Sequence, residues 1–386
     1  MKKSVVPFVR KLLSFRNVRL KRAERISTAR FPVLWNFFEA EIEVRAPNED
    51  ARTTMPRRNF PALGARQIRH VQVTANRRCS GVIHKTKFLI PQSAPQGPWN
   101  LRVGKPVTGG ITWQKGAMIL IDTGIDKGTL ERGIFVGTWS PHNWFHWTID
   151  ILPSVWLSTK LPAAFDDYPI LLPPNSLQKA TWREPFNLVS GSRSVVELSD
   201  MRYTNVRDLI WIDSPTAPGP LPIDRKSEPR FSAHGSALNA YRSHVLSQLG
   251  IDETSVERSR KIFLARRDGG NRPYNQEELI EVAQQFDFQP VFLENMPLKD
   301  SIRTMLESKI VVGPHGAGWA SALYCQARTK GFLWTWEQSR HDNWFANIAE
   351  VRKMRFEAST QMKKFGSRWH FDPRILRSYL EKSAAD

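Results

Sequence analysis

A chain of 386 residues, 41% hydrophobic and 24% charged, is too long for one ordinary core and too apolar to stay disordered, so two domains are expected. Fourteen Trp and 21 Phe supply core material, yet no apolar run approaches the ~18 residues of a membrane span. Two cysteines, Cys79 and Cys325, are too few for a disulfide framework or a cysteine-rich zinc site, and they point to a reducing compartment.

The net charge of +19 is unevenly spread, because residues 1–30 hold ten Lys/Arg against one Glu. Phe8, Val9, Leu12, Leu13 and Phe15 are interspersed there, a composition suited to an anionic membrane surface or to a solvated tail. Charge returns too early for a signal-peptide core, so export is not expected. The remaining cations suit a polyanionic ligand such as a phosphate group.

In chain order, residues 1–60 read as a basic, irregular segment broken by Pro47 and Pro56. Short β-rich runs are predicted over 71–74, 87–90, 117–121 and 133–137, divided by Pro and Gly. A helix should follow over 141–160, with Ser140 as its cap, Pro141 in its first turn and Leu161-Pro162 closing it. Residues 169–172 read as a strand. Five prolines over 214–230 read as an interdomain linker.

The second half alternates. Helices are predicted over 237–249, 275–286, 298–307 and 316–323, and strands over 261–265, 290–293, 310–312 and 332–336. That alternation implies a parallel sheet covered on both faces. Asn275 and Glu278 have the spacing of a reciprocal helix cap.

Three constellations carry chemistry. The first is Gly313-Pro314-His315-Gly316-Ala317-Gly318, a strand end turning into a helix start. Backbone N–H groups and the positive helix end make such a turn an anion seat, although it is neither a dinucleotide fingerprint nor a Walker loop. The second is Ala265-Arg266-Arg267, with Arg272 following, at the carboxyl end of a predicted parallel strand where guanidinium forks suit phosphate oxygens. The third is His142-Asn143-Trp144-Phe145-His146-Trp147-Thr148-Ile149-Asp150. On one helix His142, His146 and Asp150 fall on one face. A carboxylate can orient an imidazole that takes a hydroxyl proton, or Asp150 can itself be the base. A His-x-x-x-His face can also chelate a metal, and a hydrogen-bonded core histidine is the plainest alternative. Trp139, Trp144, Trp147 and Trp156 surround this helix as sugar-stacking faces or as core.

Together the motifs resemble glycosyltransferase family 61, in particular its bacterial members of capsular and other surface polysaccharide synthesis. The resemblance rests on Asn143, His146, Asp150 and Leu152-Pro153; on Ala265-Arg266, Arg272 and Asn275-Gln276-Glu277-Glu278-Leu279; and on Gly313 with His315–Gly318, in that order. Two departures stand out. Gln326-Ala327-Arg328 replaces a Pro-Pro-Gly, and Leu333 falls near a family Glu for which Glu337 is the substitute four residues on. Trp319 occupies a position where Leu is common.

The resemblance implies an α/β fold of GT-B type, two Rossmann-like domains facing across a cleft. Residues 61–225 would take the acceptor and 226–386 the nucleotide sugar, most simply a UDP-sugar, with no tightly bound cofactor and no metal. It implies a hexosyl- or pentosyltransferase that inverts the anomeric centre, with His146 or Asp150 as base and Asn143 positioning substrate. Arg266, Arg272, His315, Gly316, Ala317, Gly318 and Glu337 would hold the donor. The acceptor would be a glycan or lipid-linked glycan. The setting would be the cytoplasm, at the inner membrane through residues 1–30. Two rivals remain: a metal-dependent hydrolase built on His142, His146 and Asp150, and a basic nucleic-acid-binding protein. The first predicts bound metal; the second predicts binding that collapses with salt, and no recognition motif supports it.

Overall fold

The computed structural model describes residues 20–42, 59–76, 79–93, 111–115, 117–122, 125–137, 141–200, 202–217, 232–267, 273–336 and 344–385. They form two compact units, one holding described residues 20–41 and 60–217 and the other Ile42, Asn59 and the residues from Ser232 onward.

The first unit is built on an eleven-stranded sheet. Its strands are β1 (Leu20–Ser27), β2 (Trp35–Phe38), β3 (Leu63–Asn76), β4 (Cys79–His84), β5 (Lys87–Ile90), β6 (Ile111–Lys115), β7 (Met118–Asp122), β8 (Ile125–Phe135), β9 (Ile170–Leu172), β10 (Val195–Glu197) and β11 (Arg202–Ile212). The order is β10-β9-β8-β11-β3-β4-β5-β1-β7-β6, with β2 against β3.

Two styles of pairing meet in this sheet. From β3 to β7 most neighbours run antiparallel, whereas β10, β9, β8 and β11 are mutually parallel. Taken in chain order the parallel quartet reads 3-2-1-4, half of a doubly wound sheet. Its direction of winding reverses between β8 and β11, where Phe135 pairs with Trp211. The unit is therefore only partly Rossmann-like, because its antiparallel strands extend far beyond the quartet. Inward-facing Val71, Val73, Val206, Leu209, Phe135 and Leu171 form the core under the junction.

Residues 20–27, expected to be irregular, form β1 between β5 and β7, with Ala23 buried at its centre. Alternation explains it: the charged Arg22 and Glu24 flank the inward Ala23. Residues 1–19 lie outside the described residues. Residues 214–217, expected to begin a linker, continue as buried chain after β11; of the expected linker, 218–230 lies outside the described residues.

The second unit holds α3 (Gly235–Gln248), β12 (Arg260–Leu264), α4 (Gln276–Gln284), β13 (Gln289–Val291), α5 (Leu298–Leu306), β14 (Ser308–Pro314), a 3₁₀ run Ala317–Tyr324, β15 (Lys330–Trp336), α6 (Trp344–Val351), β16 (Arg355–Phe365), β17 (Arg368–His370) and α7 (Pro373–Ala385); helices α1 and α2 of the first unit are given below. Sheet order is β13-β12-β14-β15-β16-β17, parallel except for the last pair. In chain order that is 2-1-3-4-5-6, a doubly wound sheet whose switch lies between β12 and β14. The central strand β14 is buried on both faces through Ile310, Val311 and Val312. Helix α5 buries Leu298, Ile302, Met305 and Leu306, a helical stripe, and packs beside the 3₁₀ run Ala317–Tyr324.

The expected Asn275 cap takes another form. Its side chain makes no bond to a helix N–H. The amide instead donates to Glu278 Oε2 (2.7 Å) and to the Phe371 carbonyl (3.0 Å), and its oxygen accepts from the Phe371 N–H. Asn275 thus ties the chain before α7 to the start of α4. No described helix is long and apolar enough to cross a membrane.

Candidate functional site

Each unit gathers polar side chains at the carboxyl ends of its switch-point strands, where ligands of open α/β sheets bind.

In the first unit β8 leads into α1, which is not one continuous α-helix as expected. It consists of Trp144–His146, a π-helical turn Trp147–Ile151 and an α-helical run Leu152–Ser158. The start is fixed by Asn143, whose Oδ1 accepts from the Phe145 N–H at 2.9 Å; Ser140 lies outside the described residues. The wide turn has a cause in Pro153. That residue offers no N–H to the Ile149 carbonyl and its ring presses on it, and opening the turn relieves both problems. The Leu152 N–H accordingly bonds five residues back, to the Trp147 carbonyl.

His146, the residue just before this turn, places its Nδ1 2.7 Å from Oδ2 of Asp150 within it, with both residues buried. Toward an ionised carboxylate Nδ1 must be the donor, which makes Nε2 the ring nitrogen able to accept a proton. Asp150 Oδ1 accepts from Thr216 Oγ1 at 2.5 Å, just beyond β11, and the Asp150 carbonyl accepts from Ser154 Oγ. His142 is exposed and precedes the helix. His142, His146 and Asp150 therefore do not share one helical face, which removes the geometric basis of the metal-hydrolase alternative. Among the described residues no group of three His, Cys, Asp or Glu could hold a metal ion.

The tryptophans divide by role. Trp147 and Trp156 are core, the former stacked on Phe186 of α2 (Ala180–Val189). Trp144 and Trp182 are half-buried neighbours at 5.2 Å, and the Trp182 indole donates to the Pro141 carbonyl. Trp139 lies outside the described residues.

In the second unit Arg266 follows β12 and His315 follows β14. Gln276 fixes the Arg266 backbone from both sides: its Oε1 accepts from the Arg266 N–H (2.7 Å) and its Nε2 donates to the Arg266 carbonyl (2.8 Å). Tyr274 OH donates to the same Gln276 oxygen, and the guanidinium lies 5.9 Å from the Tyr274 ring centroid. The other flank of the guanidinium is Gly316, where an added Cβ would meet Arg266 Nη2 at 2.6 Å. Gly313 is needed for a different contact, since its Cβ would strike Leu264 Cβ at 2.8 Å between adjacent strands. Gly318 faces open space apart from Leu293 at 4.0 Å.

His315 extends the ladder through its N–H to the Trp334 carbonyl, and its ring sits between Trp336 and Phe345 at 5.0 and 4.9 Å. Residues 317–324 form a 3₁₀ helix rather than an α-helix, and no side chain caps its start at Gly316. Arg266, His315, Gly316, Ala317 and Gly318 thus come together at one switch point. Arg267 is turned away, its N–H donating to Glu294 and its guanidinium to Asn295. Arg272 and Glu337 lie outside the described residues. Trp319 and Leu333 are core positions, the Trp319 indole donating to the Pro314 carbonyl. Trp319 is therefore packed into the core rather than presented at the switch point.

Two residues escaped sequence reasoning. Gln276 stood inside a quoted motif as an ordinary first-turn helix residue. Thr216 is 66 residues from its partner and carried no local signal.

The class these features define is a two-unit α/β protein with doubly wound strand order and a charged or acid–base cluster at each switch point. Residues 144–332, just under half of the chain, match the family model described as Glycosyltransferase 61, which supports placing the chain in that family and its being a glycosyltransferase. The match includes His146, Asp150, Thr216, Arg266 and His315–Gly318, and leaves out Asn143 and Glu337. No curated protein matches the chain.

Proposed function

We propose that this chain transfers a sugar from a nucleotide-sugar donor, most simply a UDP-sugar, to a hydroxyl of a surface or capsular glycan acceptor, with inversion and without metal. The observation that carries the proposal is the buried 2.7 Å contact that His146 makes across the start of the π-turn with Asp150, after β8 at the β8/β11 switch. An imidazole held by a carboxylate is a general base for a hydroxyl.

As the acceptor oxygen attacks the anomeric carbon, its proton goes to His146 Nε2. The new glycosidic bond forms while the bond from that carbon to the phosphate oxygen breaks, and the diphosphate leaves with the electron pair. Arg266 and the N–H groups at Gly316–Gly318 supply positive potential for that leaving group. The proposal includes a GT-B arrangement, two domains facing across a cleft, with the donor on the second and the acceptor on the first, as the motif order of the family suggests. The nine net positive charges of residues 1–30 support work at an anionic inner-membrane surface, where lipid-linked acceptors sit.

Titration with UDP, GDP and CMP in the presence of EDTA tests the donor seat. Binding of one nucleotide that weakens ~10-fold or more in Arg266→Ala is expected from loss of a charge-assisted hydrogen bond. Unchanged affinity in that variant refutes the seat.

A further inference from the structure

Asp150 is oriented from two directions. One oxygen takes the His146 Nδ1 proton, and the other takes the hydroxyl proton of Thr216 at 2.5 Å. Thr216 is fully buried, so no water competes for that bond. Its Oγ1 also lies 3.1 Å from Ser214 Oγ. A threonine hydroxyl has one proton, and here it goes to Asp150, so Ser214 must be the donor in the second contact. Ser214 Oγ in turn accepts from the Thr216 N–H at 3.3 Å, which closes a small ring and fixes the rotor. Ser214 donates to Thr216, Thr216 to Asp150, and His146 to Asp150 from the other side. Each bond in such a chain polarises the next.

The elements involved explain why this works. Asp150 sits on a helix turn and Thr216 on the chain leaving β11, so the bond ties the dyad to the strand beyond the switch. A carboxylate held only through His146 can rotate about its side-chain torsions. One held at both oxygens cannot. We propose that Thr216 is a positioning residue, supported by Ser214, that fixes Asp150 and through it the orientation and tautomer of His146. The proposal deepens the transferase reading and rests on it for its kinetic consequence.

Thr216→Val keeps the shape and removes the hydroxyl; Thr216→Ser keeps the hydroxyl and removes the methyl. With a UDP-sugar the protein turns over, release of UDP by Thr216→Val should fall ~10- to 100-fold in kcat with donor KM within about 2-fold, and Thr216→Ser should restore kcat to within about 3-fold. Thermal melting of both variants checks that they fold. A second readout needs no turnover: the hydrogen-bonded His146 Nδ1 proton, assigned by its loss in His146→Ala, should shift or exchange-broaden in Thr216→Val and persist in Thr216→Ser. An unchanged kcat and proton signal in folded Thr216→Val overturns the proposal. So does a Thr216→Ser as impaired as the valine, because the methyl packing would then be what matters. Full turnover by His146→Ala would instead overturn the transferase mechanism, and the proton signal would still decide the role of Thr216.

Discussion

Replacing Gly316 by alanine separates donor binding from folding. Gly316 has φ of −176°, ordinary extended backbone, so alanine brings no conformational strain there. The whole cost lies in the contact of its Cβ with the Arg266 guanidinium, at 2.6 Å to Nη2 and 3.2 Å to Cζ and Nε. Those atoms end a flexible side chain, so the guanidinium swings aside and stability should fall by less than about 1 kcal/mol. The displaced guanidinium no longer meets the diphosphate, and a charge-assisted hydrogen bond of ~1.5–3 kcal/mol is lost, about 10- to 100-fold in nucleotide affinity. The neighbouring glycines are internal controls. In Gly313→Ala the new Cβ meets Leu264 Cβ at 2.8 Å and the Leu264 carbonyl at 3.2 Å, so two strands must part and roughly 1–3 kcal/mol of stability should go. Gly318→Ala meets only Leu293 at 4.0 Å and should fold normally. Calorimetric titration with the nucleotide that wild type binds, paired with urea unfolding, reads both quantities. Wild-type affinity in a stable Gly316→Ala would refute the placing of Arg266 in the donor seat.

Two further outcomes concern stability. Glu253 accepts two bonds of 2.6 Å from the buried Arg242 and lies 3.4 Å from Arg352, while these arginines donate to the Tyr324 and Cys325 carbonyls at the end of the 3₁₀ run. Glu253 is one-third exposed and both arginines keep their carbonyl bonds, so Glu253→Ala should cost roughly 1–3 kcal/mol in urea unfolding from the lost charge-assisted bonds; unchanged stability would contradict that. Asp213 is held up at about 6 by burial, against the opposing pull of Arg66 and the Gly64 N–H. The folded chain therefore keeps a proton that the unfolded chain releases near pH 4. Stability should decline between pH 4 and 6 by on the order of 2–3 kcal/mol from this group, and the decline should vanish in Asp213→Asn; a slope unchanged in the variant would contradict it.

Local pattern in the sequence carried much of the fold and one side of each cluster. Helices such as Leu298–Leu306 advertise a 3.6-residue apolar stripe, and the strand around Ile310–Val312 is a short apolar run, so both were legible. Strand β11 is not among the predicted strands: Val206, Leu209 and Trp211 are buried, but Arg207 and Asp208 interrupt the apolar run and the burial does not alternate cleanly. Without β11 there was no switch point in the first unit and no route to Thr216. The His146–Asp150 pair was visible because four-residue spacing is local, whereas the π-turn that carries it depends on how Pro153 meets the Ile149 carbonyl. Arg266 and Gly316 were each readable as phosphate-friendly, but their mutual contact follows from strand order, which only long-range pairing decides.

The most direct measurement is release of nucleoside diphosphate from a panel of nucleotide sugars by wild type and His146→Ala, in EDTA, with glycan acceptor or water receiving the sugar. Wild type should consume one donor class, and His146→Ala should bind that donor with similar affinity while releasing product at least ~100-fold more slowly. Equal turnover by His146→Ala, or consumption of no nucleotide sugar by the wild type, would contradict a transferase whose base is His146.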